Sequence, residues 1–128
     1  MLNSLPSVDE REVALKYLGK PWYPGGRGPA AFDCWGFCME VYQNALGVDI
    51  GTLNPSFDTS AHWTRVANPT AFSVVYMTAQ GQAHAGLWLT SDRGGVLHAV
   101  CGWGVVFTPQ DRLKNMGIKI IAFYDYVH

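Results

Sequence analysis

The chain has 128 residues, with nine Lys plus Arg against ten Asp plus Glu for a formal net charge of −1, and 48% of its positions are hydrophobic and 13% aromatic. A chain this long buries roughly two thirds of its unfolded surface, which predicts one compact domain over residues 1–128 and excludes disorder. Near-neutral charge without Lys or Arg clusters gives no basis for nucleic acid or an anionic membrane surface as the main partner, and no window approaches the roughly 18 apolar residues of a membrane span.

The first residues, MLNSLPSVDEREV, lack a basic start followed by an apolar stretch, so no secretory signal is expected. Ser7-Val8-Asp9-Glu10 fits a capping box. A first helix is predicted to follow, with Val13, Ala14, Tyr17 and Leu18 on one face and Gly19 and Pro21 as its stop. Gly19 to Pro29 is dense in glycine and proline and is predicted to be a shaped loop. Asp33 is placed to cap a central helix in which Cys34, Phe37, Cys38, Val41, Tyr42 and Ala45 form an apolar stripe, closed by Gly47. From Gly51 to Thr70 the chain reads as a long surface connection with a short helix around Ala61 to Val66.

Five strands are then predicted: Ala71 to Thr78, Ala83 to Thr90, Gly95 to Val100, Trp103 to Thr108 and Ile118 to Tyr126. Their short connections imply antiparallel neighbours. Helices first and a meandering sheet second give an α+β fold, with the central helix packed on one face of a five-stranded antiparallel sheet.

Cys34 is the most informative residue, at the first turn of a helix after a capping Asp and a glycine-rich loop. Unsatisfied N–H groups and the positive end of the helix dipole favour a thiolate there. The competing reading is a small buried hydrophobe, since free cysteine is among the most buried residue types. Cys38, one turn further, is assigned to the core.

A nucleophilic cysteine needs an imidazole to take its proton, and that imidazole needs a third group to hold its tautomer. His84 and His98 lie in adjacent predicted strands; if Gly86 faces His98, the two histidines become a diagonal pair on one face. A lone strand histidine is usually a satisfied, half-buried residue, but two on one face beside a helix-capping cysteine make a sharper signal. His62 and His128 are expected to be exposed.

Zinc is the competing chemistry for Cys34, Cys38, His84, His98 and Cys101, yet their spacing matches no finger or ribbon, so no metal and no cofactor are expected. An odd cysteine count without an export signal favours free thiols. Gly25-Gly26-Arg27-Gly28 lacks the preceding strand and following Lys-Ser/Thr of a phosphate loop. Trp22 and Tyr23 lie in the loop before Cys34 and are placed to line a cleft.

These residues resemble the NlpC-type cell-wall cysteine peptidases, a papain-like family whose minimal domain is about this size. The likeness rests on Leu18-Gly19-Lys20-Pro21-Trp22, Gly25-Gly26 and Phe32-Asp33-Cys34-Trp35-Gly36-Phe37, then His84-Ala85-Gly86-Leu87-Trp88-Leu89, then Leu97-His98-Ala99. The resemblance implies Cys34 as nucleophile, His84 as general base and acid, and His98 as the orienting third member. It implies that Asp33 helps bind a peptide's free amine, with Trp22, Tyr23 and Trp35 also at the substrate. The oxyanion would be held by the Cys34 backbone N–H and a group from the preceding loop. Trp22 stands where the family usually has Tyr, Trp35 where housekeeping members often have Ser, and Phe72-Ser73 where Gly-Asp usually opens the first strand.

Relatives of this kind cut peptidoglycan stem peptides, typically between D-glutamate and diaminopimelate. The Asp-Cys-Trp-Gly version, with Val41-Tyr42 and Leu46-Gly47-Val48, looks most like the variant of tailed phages and gene-transfer particles. That resemblance implies a virion-tail location, made in the host cytoplasm and acting on the cell wall, with tail-tip or baseplate proteins as neighbours. Two other readings stay open: a structural tail-hub or plug protein with little turnover, and an amidase or acyltransferase on the same scaffold.

Overall fold

The computed structural model describes residues 8–51 and 61–127. Helix α1 spans Glu10–Tyr17 and is capped by Asp9, whose Oδ1 accepts from the backbone N–H of Arg11 at 2.9 Å and of Glu12 at 3.4 Å. This corrects the expected capping box. Glu10 instead takes both donors of Thr90, its backbone N–H and its hydroxyl, each at 2.6 Å, and ties the helix start to a distant turn. Ser7 lies outside the described residues.

Helix α2, Cys34–Val41, continues into a π-helical turn, Tyr42–Leu46, and the Gly47 N–H closes on the Tyr42 carbonyl. The helix therefore stops where the sequence predicts, but its last turn is wider than an α-helix. Phe37, Cys38 and Val41 are fully buried. Tyr17, Phe32 and Phe37 meet edge to face with ring centroids 5.6–6.0 Å apart, so α1, the loop and α2 share one aromatic centre.

The sheet has six strands rather than five: β1 Trp63–Val66, β2 Val74–Ala79, β3 Gln82–Leu89, β4 Gly95–Val100, β5 Gly104–Pro109 and β6 Ile118–Tyr126. Their spatial order is β1-β6-β2-β3-β4-β5, and every neighbouring pair is antiparallel. The sequence reading made Ala61 to Val66 a helix. Trp63 instead enters the core at 6% exposure, with ring contacts to Trp35, Tyr42 and Tyr126, while β-branched Thr64 and Val66 pair with Asp125 and Phe123 of β6. A four-residue strand is too short for its period to show in the sequence, and a long partner settled the matter. Nor is the sheet a simple meander, since β6 returns past three strands to sit between β1 and β2.

The two faces of the sheet bury different things. One packs against α1 and α2 through Val74, Ala85, Leu87, Leu97 and Ala99. The other buries Val75, Met77, Trp88 and Val96 beneath a 3-10 helix, Gln110–Met116, anchored by Leu113. The outer edge of β5 is covered by the loop after α1, where Gly19 N–H donates to the Val105 carbonyl and Val105 N–H donates to the Lys20 carbonyl.

Candidate active site

The start of α2 is built from the loop before it. Asp33 Oδ1 accepts from Gly36 N–H at 2.6 Å and from Arg27 Nη1 at 2.6 Å, and the Asp33 N–H donates to the Gly26 carbonyl at 3.0 Å. Gly36 must lack a side chain, because a Cβ there would collide with the Gly26 carbonyl oxygen. The glycine-rich loop thus has a conformational role: it lies across the first helical turn, and Arg27 pairs with the capping carboxylate.

Two of the first four helical N–H groups have partners within this frame, Gly36 on Asp33 Oδ1 and Phe37 on the Asp33 carbonyl. The other two, of Cys34 and Trp35, lie at the helix start beside the thiol, and together with the Ala85 N–H on β3 they favour its thiolate form. Ala85 lies where β3 and β4 part: their ladder ends at Leu87 opposite Leu97, although both strands run on.

The histidines occupy that parted stretch. Extended by one residue, the β3–β4 register sets Gly86 opposite His98, the arrangement the sequence suggested, and a Cβ on Gly86 would lie 2.8 Å from the Cβ of His98. His84 Nε2 and His98 Nδ1 are 2.8 Å apart. His98 Nε2 lies 3.0 Å from Thr108 Oγ1, and the Thr108 hydroxyl donates to the Met116 thioether at 3.4 Å. The row crosses β3, β4 and β5 and ends on the 3-10 helix.

By strand alternation His84 and His98 share the face of Trp88 and Val96, opposite the face that α2 covers. Burial lowers His84 from 6.5 to about 4, and burial with the neighbouring ring lowers His98 to about 3. Both imidazoles are therefore neutral near pH 7. The Cys34 thiol is raised above its ordinary value, first by burial and then by the Asp33 charge, against the three N–H groups that lower it. The helix terminus alone suggested a thiolate; burial outweighs it, and the resting pair is thiol and imidazole.

Cys34, His84, Asp33 and Trp22 line one groove of about 790 Å³, with Cys101 and Trp103 on its wall. Trp35, expected at the substrate, is 3% exposed and donates its indole N–H to the Gly51 carbonyl, so it belongs to the core. Tyr23 is exposed but does not line the groove. Cys38 is fully buried, and exposed His62 stacks on Tyr126. His128 lies outside the described residues. Among the described residues, no three or more His, Cys, Asp or Glu side chains gather to hold a metal ion. Sequence reasoning missed Thr108, Met116 and Trp103. The alternation of β5 carried a weak signal for Thr108, whereas Met116 needed the path of the chain after it.

A thiol at a helix start, sharing a groove with a paired imidazole from an antiparallel sheet, is the layout of a cysteine-nucleophile site. Residues 19–118 match the NlpC/P60 family. The chain belongs to that family. It is 32% identical over 87 residues to "Protein P54" of Enterococcus faecium, covering 67% of this chain and 16% of that protein. It is 34% identical over 79 residues to "Probable endopeptidase p60" of Listeria grayi, covering 59% of this chain and 15% of that protein. The matched parts are about a sixth of these relatives' length. The solved NlpC/p60 domain of the peptidoglycan hydrolase SagA superposes with a TM-score of 0.65 at 25% identity, covering 88% of this chain and 93% of that one. A Staphylococcus aureus structure described as similar to a lipoprotein of the NLP/P60 family gives 0.58 at 19% identity, over 100% of this chain and 45% of that one, and shares the fold.

Proposed function

We propose that this protein is a cysteine endopeptidase that cuts peptidoglycan stem peptides through a thioester. The observation that carries the reading is Cys34 at the start of α2, in one groove with His84, which has His98 hydrogen-bonded behind it at 2.8 Å. The names of the relatives, a probable endopeptidase and a peptidoglycan hydrolase, support the substrate class.

The chemistry follows from the protonation states. Sγ of Cys34 attacks the scissile carbonyl carbon while its proton passes to the neutral imidazole of His84. The developing oxyanion has the Cys34 N–H at the helix start to receive it, with the second donor expected from the preceding loop. His84 returns the proton to the leaving amine as the C–N bond breaks, and water, deprotonated by the same ring, then opens the thioester. His98 holds the His84 ring. Asp33 and Trp22 on the groove wall are assigned to substrate binding. Asp33 Oδ1 is already engaged by Gly36 and Arg27, so an incoming amine must share the carboxylate with Arg27.

The bond between D-glutamate and diaminopimelate is the expected site of cleavage. A phage-type tail is the expected setting, with tail-tip or baseplate neighbours; it rests on the likeness of the motif Asp33-Cys34-Trp35-Gly36.

Purified protein should release new amino termini from peptidoglycan, and Cys34→Ala should reduce the rate at least about a thousandfold while leaving the circular dichroism spectrum unchanged. Undiminished digestion by that variant would falsify the nucleophile assignment. Mass spectrometry of the fragments separates endopeptidase from amidase. Co-purification with tail particles from a lysogen tests the setting.

A further inference from the structure

The row of polar groups behind His84 has a direction, and its far end sets it. A thioether sulfur only accepts hydrogen bonds. In the bond between Thr108 Oγ1 and Met116 Sδ, at 3.4 Å, the Thr108 hydroxyl is the donor, and with its one hydrogen on the sulfur it presents only lone pairs to His98 Nε2, at 3.0 Å. His98 must then carry its hydrogen on Nε2, which leaves Nδ1 bare to accept from His84 Nε2, at 2.8 Å. His84 in turn carries its hydrogen on Nε2, and its Nδ1 is the bare nitrogen. Each tautomer follows from the one behind it.

We propose that Thr108, with its hydroxyl oriented by Met116, is a positioning residue that fixes the tautomers of His98 and His84 so that His84 Nδ1 is the base for Cys34. With the opposite direction, a neutral His84 would hold a hydrogen on Nδ1 and could not take the thiol proton there. When His84 does take that proton, its Nε2–H still donates to His98 Nδ1, so His98 stays neutral and no proton travels down the row.

The placement is built into the sheet. Thr108 pairs with Val96 in the β4–β5 register and His98 with Val106, so Thr108 stands one diagonal step from His98 on the same face. His98 is 0% exposed and Thr108 is 7% exposed, which leaves His98 Nε2 dependent on the threonine rather than on water. Met116 comes from the 3-10 helix that closes this face, so the helix after β5 orients a proton acceptor three strands away.

The catalytic value of this row rests on the peptidase reading, but the tautomers can be read without turnover. Long-range ¹H–¹⁵N correlation spectra of the intact protein should show His98 and His84 both protonated on Nε2. His98 protonated on Nδ1 would overturn the proposal. Thr108→Val should give His98 a mixed tautomer and lower kcat about 10- to 100-fold with KM within about twofold, and Thr108→Ser should restore both to within about threefold. Met116→Leu, close in shape but without the acceptor, should mix the tautomers and lower kcat several-fold; it carries the test alone if Thr108→Val does not fold. Wild-type spectra and kcat in Thr108→Val or Met116→Leu would sink the idea. Expected spectra in a wild-type protein that cuts no peptidoglycan would uphold the tautomer row and count against the peptidase reading instead.

Discussion

The two faces of the sheet solve different problems with the same strands. The face under α1 and α2 is a continuous apolar layer in which Phe32, Phe37, Val41 and Leu87 are fully buried and aromatic rings interlock. The face under the 3-10 helix has a smaller apolar cluster around Val75, Met77, Trp88 and Val96, and it carries His84, His98 and Thr108 at depth. Among the described residues no buried side-chain nitrogen or oxygen lacks a partner, so each of those polar groups is tolerated by hydrogen bonding to the next. The larger apolar cluster lies on the first face, and the second combines a smaller one with a buried, hydrogen-bonded polar row.

The sharpest way to break that contrast is to damage each face in turn. Phe37→Ala should cost about 4 kcal/mol and lower Tm by about 15 °C, whereas Val75→Ala should cost about 2 kcal/mol. Urea titrations giving equal losses would show that the load is shared evenly.

Gly86→Ala probes the second face. Its Cβ would lie 2.5 Å from Val96 Cγ1 and 2.8 Å from His98 Cβ, so β4 must move and the His84–His98 bond must lengthen. The expected result is a loss of about 1 to 3 kcal/mol in stability with a drop in kcat of about 10- to 100-fold. Full activity in a folded Gly86→Ala protein would mean that the close approach of the strands has no part in the chemistry.

The response to acid probes the same face without a mutation. His84, at about 4, and His98, at about 3, both lie below the 6.5 of an unperturbed histidine, so the unfolded chain binds protons first as the pH falls. The stabilisation is complete above about pH 6.5 and is lost as the pH falls toward these values, by at most about 1.4 kcal/mol per pH unit for each ring. The urea midpoint should therefore fall between pH 7 and pH 5, and less steeply in a His98→Asn variant. A midpoint that does not move would indicate that the rings are solvated.

Much of the frame was legible in the chain itself. Asp33 before an apolar stripe marked the start of α2, Gly47 marked its end, and alternating β-branched and aromatic residues marked β2 to β6 to within three residues at each end, because local capping and side-chain period are written in short windows. The pairing of His84 with His98 was also legible, since the turn between their strands fixes the register. The strand at Trp63 was not, because only β6, some sixty residues later, gives it a partner.

What the sequence determined alone was the candidate groups Cys34, His84 and His98 and the helix and two strands that carry them. Only the tertiary structure decided their protonation: burial, which depends on every neighbour at once, raises the Cys34 thiol against its helix terminus and keeps both imidazoles neutral. The fold likewise placed Trp35 in the core rather than at the substrate, and it brought Thr108 and Met116 behind His98, contacts that no local pattern of residues encodes.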